Sequence, residues 1–216
     1  MDLIFSQHEV RVLGVLIEKE ITTPDYYPLS INALVNACNQ KSNRHPVMNM
    51  EESAVRETLE GLGIKGLAGP DSRAESRVTK YGHRVQEVFN FDRRETALLC
   101  ELMLRGPQTV GELRGHAERM YRFEDLETLE LTLQKLGQRQ PPLVKKLPRQ
   151  PGTKESRYAH LLAGESPEWT GAADSAAAEP PAPPNRITLL EAEVAALTQQ
   201  LSDLREEFSR FKKQFE

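Results

Sequence analysis

TPDYYPLSINALVNACNQKSNRHPVM, residues Thr23–Met48, decides how the rest of this chain is read. Pro24 and Pro28 flank Tyr26 and Tyr27 and forbid a continuous helix at its start. A short apolar-faced segment follows, with Ile31, Leu34, Val35 and Cys38 at helical spacing behind Ser30, a residue suited to cap a helix. The stretch then runs into Asn39-Gln40-Lys41-Ser42-Asn43-Arg44 and is stopped by Pro46. Amides and two cations packed between apolar helical patterns read as a surface for contact, which points to a binding protein.

Working outward, Ser6 and Glu9 form a capping box for a helix from about Gln7 to Glu20, carrying Val10, Leu13, Leu16 and Ile17 on its apolar face. Tyr26 to Leu29 reads as a short strand, and Ser30 opens a second helix that reaches about Asn39. Asn49 and Glu52 signal a third helix through Val55, Leu59 and Leu62, ending at Gly61, Gly63 and Gly66. Leu67-Ala68 and Arg77-Val78-Thr79-Lys80-Tyr81, separated by a charged tip, read as a β-hairpin. Helix, strand, helix, helix, hairpin is the order of a winged helix-turn-helix.

The order returns. Asp92 caps a helix carrying Ala97, Leu98, Leu102 and Met103 that ends at Gly106-Pro107; Thr109 and Glu112 form a capping box for a short helix to about Arg119. Leu126, Leu129, Leu133 and Leu136 mark a third helix, followed by Leu143–Leu147 and Ser156–Ala159 as a second hairpin. The expectation is a mainly α fold with small β-hairpins (α+β): tandem winged helix-turn-helix domains over 1–90 and 91–163. Residues 164–186, with Pro167, Pro180, Pro181, Pro183 and Pro184 among many alanines, read as a disordered linker holding Trp169. Over 187–216, Ile187, Leu190, Val194, Leu197, Leu201, Leu204, Phe208 and Phe211 alternate steps of three and four, a coiled-coil seam that predicts a parallel homodimer. The alternative is a helix that folds back onto its own body.

Composition sets the outer bounds. Hydrophobic content of 38% and charged content of 28% over 216 residues describe a polar globular chain with enough length for one or two cores. Cys38 and Cys100 fall inside apolar helical patterns, as buried thiols do in a reducing compartment. No secretory signal pattern or membrane-length apolar run is present, so a cytoplasmic protein with no membrane partner is expected. The net charge of −4 conceals a net +3 in residues 91–163, between −2 in 1–90 and −5 in 164–216.

Catalytic chemistry finds little support. His8, His45, His83, His116 and His160 are scattered singly, and none makes a metal-spaced cluster with cysteine or carboxylate. Gly61, Gly63 and Gly66 end a helix instead of opening one, so they do not form a dinucleotide-binding loop. No catalytic residue, cofactor or metal is expected, and the protein is not expected to be an enzyme.

Nucleic-acid binding divides the chain against itself. A helix-turn-helix reads base edges with the start of its third helix. Here those starts are Asn49-Met50-Glu51-Glu52-Ser53 and Glu124-Asp125-Leu126-Glu127, carboxylates where phosphates would stand. The hairpins carry the opposite sign. Candidate contacts to duplex DNA or to a partner protein are Lys41, Asn43 and Arg44 in the turn, Arg73, Arg77 and Lys80 in the first hairpin, and Lys145, Lys146, Arg149, Lys154 and Arg157 in the second. Such patches hold phosphates without reading sequence. A solvated hairpin tip is also usually charged.

EVRVLGVLIEKEITTPDYYPLSINALVNACNQKSNRHPVM closely resembles the N-terminal signature of the bacterial YceH family, and GPQTVGELRGHAERM and PPLVKKLPRQPGTKESRYAHLL resemble its second half. The likeness covers about residues 6–162. It implies tandem winged helices without an established activity, and brings no catalytic residues. The alternatives are a dimeric DNA-binding or regulatory protein that grips phosphates through its wings, toward which the fold leans, and a protein-interaction adaptor, toward which the acidic third helices lean.

Overall fold

The architecture is that of a computed structural model, which describes residues 4–71, 77–149, 153 and 155–165. Arg73, Lys154, Trp169, nearly all of the Pro/Ala-rich segment and every residue of the expected dimer seam lie outside the described residues. The chain is mainly helical with small antiparallel sheets. Its first half runs α1 (Gln7–Thr22), a 3-10 turn (Pro24–Tyr26), β1 (Leu29–Ser30), α2 (Ile31–Cys38), α3 (Glu52–Ile64), β2 (Ala68–Pro70), β3 (Lys80–His83) and α4 (Val85–Phe89). The second half runs α5 (Arg93–Arg105), α6 (Val110–Ala117), α7 (Leu126–Gly137), β4 (Val144–Lys146) and β5 (Tyr158–His160).

Local chemistry fixes the helix starts. Ser6 and Glu9, Asp92 and Glu95, and Thr109 and Glu112 each close a capping box, in which the two residues satisfy each other's backbone N–H groups. The start of α3 differs from the expectation. Asn39 Nδ2 donates to the Met50 carbonyl (2.9 Å) and its Oδ1 accepts from the Met50 N–H (2.7 Å). That clip closes the 39–50 loop, and the helix begins only at Glu52, behind Glu51 with no side-chain cap. The five-residue α4 is an addition to the expected elements. It has no side-chain cap and buries only Val85, so nothing in its pattern announces it.

The two halves share an order of elements, three longer helices followed by an antiparallel strand pair. In the first, β1, β3 and β2 form an antiparallel sheet in which Leu29 and Pro70 both face Tyr81. In the second, β4 pairs with β5, and Gln108 exchanges both backbone hydrogen bonds with Tyr158 where a third strand would lie. Among the described residues no helix is long and apolar enough to cross a membrane.

Apolar side chains from both halves form one continuous core. At its centre lie α1 and α5. From Glu9 to Glu18 and from Glu95 to Leu104 every residue is buried, so each helix is covered on all sides. Gly14 sets how closely they approach. A Cβ there would stand 3.0 Å from Leu104 Cδ2 and 3.3 Å from Met103 Cβ. Cys100 Sγ donates to the Gly14 carbonyl at 3.2 Å across the same contact. Branching at this point must push the helices apart. Gly14→Val is therefore expected to destabilise the protein by about 1–3 kcal/mol, read as a lowered denaturation midpoint at an unchanged denaturant slope; a midpoint at or above that of the parent would contradict the close contact.

Candidate functional site

The amide-rich turn is held from inside by two arginines. Arg11, on α1, donates from Nη1 to the Cys38 carbonyl (3.0 Å) and from Nη2 to the Pro46 carbonyl (2.5 Å). Arg44 donates from Nε to the Ala37 carbonyl (3.2 Å) and grips Glu18 with both ends of its fork, Nη1 to Oε1 at 3.1 Å and Nη2 to Oε2 at 2.5 Å. The orphan carbonyls at the end of α2 are thus satisfied by buried cations.

Arg44 is therefore not a surface contact. Its side chain and that of Glu18 are both 0% exposed, and the pair is bidentate. Most of the amides are also engaged internally. Asn39 clips Met50, Gln40 Oε1 accepts from Arg44, and Asn43 Oδ1 accepts from Arg105 Nη2 at 2.6 Å. Of the turn's candidate residues only Lys41 is presented outward with no engagement of this kind.

The network continues into the second half. Arg119 reaches both Glu18 and Glu101, and Arg105 donates to Glu101 Oε2 at 2.8 Å. Burial pushes the Glu18 carboxyl up, but the Arg44 hydrogen bonds and the charges of Arg44, Arg119 and Lys19 outweigh it and hold the group below the usual carboxylate range. Glu18 and Arg119 have no signal in the sequence, because they meet across 101 residues, whereas Glu101 and Arg105 stand four apart on α5, a spacing that predicts their pairing but not its burial.

The hairpin cations are at the surface, several of them engaged. Lys145 pairs with Glu165 at 2.5 Å, and Lys146 sits over the Tyr158 ring at 5.6 Å. Arg157 Nη2 lies 3.6 Å from Glu112 Oε1. Arg77 and Arg149 are exposed, and Lys80 is half-buried in β3.

The acidic helix starts are exposed as expected, and each has a local role. Asp125 Oδ1 accepts from the Thr128 N–H at 2.6 Å, which caps α7 and holds the carboxyl below its ordinary value. Glu51 and Glu52 sit at the positive end of α3. Along the outer face of α7, Glu127 and Glu130 lie among exposed leucines, Leu126 at 44% and Leu131 at 56%.

The structure brings the turn and the second hairpin together. A cleft of about 500 Å³ opens between them, walled by Asn43, Arg44, Arg105, His116 and Arg157 among others. Of the candidate residues, Asn43 and Arg44 from the turn and Arg157 from the second hairpin share this concavity, whereas Lys41, Lys145, Lys146 and Arg149 do not line it. Among the described residues no group of His, Cys, Asp or Glu is placed to hold a metal ion.

These features define a mainly helical α+β protein with exposed patches of both charges and a cleft between its halves. The chain belongs to DUF480, described as a protein family of unknown function, whose model matches residues 5–153. It is 55% identical to a UPF0502 protein of Koribacter versatilis, over 91% of this chain and 92% of the relative. Identities of 52% with a UPF0502 protein of Solibacter usitatus and 50% with one of Geobacter sulfurreducens extend over the full length of both chains.

Beneath the turn, burial pushes the Cys38 thiol up to about 12 and that of Cys100 well above its ordinary value. Both lack the thiolate that reacts. Native protein should react with a thiol reagent only slowly, both cysteines labelling rapidly after denaturation; fast labelling of Cys38 in the native state would mean that the turn opens.

Proposed function

We propose that this is a non-enzymatic docking protein, built from two winged helices in tandem, that presents the outer faces of its third helices to a partner protein in the cytoplasm. The like order of elements in the two halves supports reading each as a winged helix, with α3 and α7 as the third helices. It fits the resemblance to the YceH family. The C-terminal heptad helix would make the protein a parallel homodimer and so double its valency.

One observation carries the reading. Where a DNA reader presents cations and amides, α7 presents Glu124, Asp125, Glu127 and Glu130 with the exposed Leu126 and Leu131. Carboxylates there repel phosphate, whereas a protein partner carrying cations can meet them with complementary charge while covering the leucines. The burial of Arg44 takes one further cation away from DNA.

A second reading, phosphate gripping by the hairpins, is favoured by the exposure of Lys41, Arg77 and Arg149. The Lys145–Glu165 pair is also exposed, and such pairs are worth only about 0–1 kcal/mol, so a phosphate could displace the glutamate.

Binding of a labelled duplex over a salt series separates the two. The docking reading expects negligible affinity near physiological salt, and a Glu127→Gln, Leu131→Ala double variant that keeps its fold but loses protein partners captured by the parent. Saturable DNA binding at physiological salt would overturn it. That holds above all if alanine at Lys145, Lys146 and Arg149 weakened binding alike for all sequences and cut the salt slope by about 0.9 per lost contact.

A further inference from the structure

We infer that the cleft between the 39–46 turn and the β4–β5 hairpin is a binding site for a small anionic ligand, whose phosphate or carboxylate group is held by Arg105 and Arg157 beside His116. The inference is independent of the docking reading. A volume of about 500 Å³ lies within the range of sites that enclose small molecules. Pro107, Leu147 and Pro148 add apolar wall to the polar groups, the mixture by which such sites hold a ligand and orient it.

Buried partners hold the polar groups in place. Arg105 is fixed by Glu101, which is fully buried, and by Asn43, bonds that use Nε and Nη2 and leave the rest of the fork. Gln108 is 4% exposed, and its Nε2 donates to the carbonyls of Glu101 (3.1 Å) and Gly106 (3.3 Å). Its Oε1, 2.6 Å from His116 Nδ1, must then accept, so that this nitrogen carries the proton and Nε2 is the ring's remaining polar atom. Asn43, whose side chain orients Arg105, holds a left-handed backbone at φ 61°, a conformation uncommon outside glycine. Arrangement by fully buried groups is how a site is preorganised.

The cleft wall carries Arg44, Arg105 and Arg157 against Glu112 and Glu155, with Arg44 already spent on Glu18. Glu112 Oε2 is committed to the Thr109 N–H of its own helix cap at 2.9 Å. Its other oxygen forms an exposed ion pair with Arg157 Nη2 at 3.6 Å, without a hydrogen bond, while Arg157 Nη1 donates to the Pro107 carbonyl at 3.3 Å; an oxyanion seated at Arg157 would compete with a weak pair and leave that anchor in place. A purely structural tie between the halves would explain the buried bonds of Glu101 and Gln108. It would not require a cavity in front of them.

The chain's five histidines provide the test. His45 and His116 line the cleft, whereas His8, His83 and His160 do not. Histidine ring signals of the full-length protein would be followed by NMR during titration with inorganic phosphate, pyrophosphate and citrate, each at constant ionic strength against sodium chloride. The expected result is a saturable shift of His45 and His116 alone, with the phosphate and citrate arms identifying the oxyanion. Arg157→Ala, at an exposed position, should weaken the apparent affinity roughly ten- to a hundred-fold while the His160 signal stays native. The site is overturned if none of these anions moves His116, if all five signals drift together without saturation, or if Arg157→Ala binds as the parent does.

Discussion

Glu18 has no access to water, and much of the chain is arranged to keep it charged. An isolated carboxylate in such a place would simply take up a proton. Arg44 meets it with both ends of its guanidinium, and Arg119 and Lys19 add their charges. Because its folded-state carboxyl lies below the ordinary range, the group contributes stability above that range and loses it as pH falls through. Each partner comes from a different segment: α1, the 39–46 turn and the chain after α6. One buried carboxylate thereby fixes the position of the turn against both halves.

The turn is rigid for that reason, and rigidity is what lets it form a wall of the cleft. Arg44 holds the backbone from beneath, and Asn43 aims Arg105 from above. Gly14 lies one turn before Glu18 on the same face of α1. By letting α5 come close, it brings Arg119 of the second half, which also bonds Glu101, within reach of Glu18. Buried charge costs more to solvate than it returns in attraction unless its geometry is nearly ideal. Its retention here fits a role in setting register between the halves, beyond what apolar packing specifies.

Legibility followed distance along the chain. The capping boxes at Ser6, Asp92 and Thr109 act between residues three apart, so the helix starts could be read directly. Apolar spacing likewise showed that Cys38 and Cys100 would be buried. Arg44 reads as an outward cation in the sequence because its partner, Glu18, stands 26 residues away, and no local pattern distinguishes a cation that will be buried from one that will be solvated. The late start of α3 has the same origin, since the Asn39–Met50 clip overrides a cap signal at Asn49. The cleft depends on Asn43, Arg105 and Arg157 converging, which no single stretch contains.

The most direct measurement is a double-mutant cycle on the buried pair, with Glu18→Leu, Arg44→Met and the double variant compared by denaturant unfolding. Glu18→Leu leaves the buried Arg44 without a carboxylate, and Arg44→Met leaves Glu18 with Arg119 and Lys19 alone; each should cost about 3–5 kcal/mol. The double change removes both charges and should recover much of that loss, giving a coupling well above the roughly 0.5 kcal/mol within which independent sites add. Single variants as stable as the parent, or losses that simply add, would contradict a structure organised around Glu18.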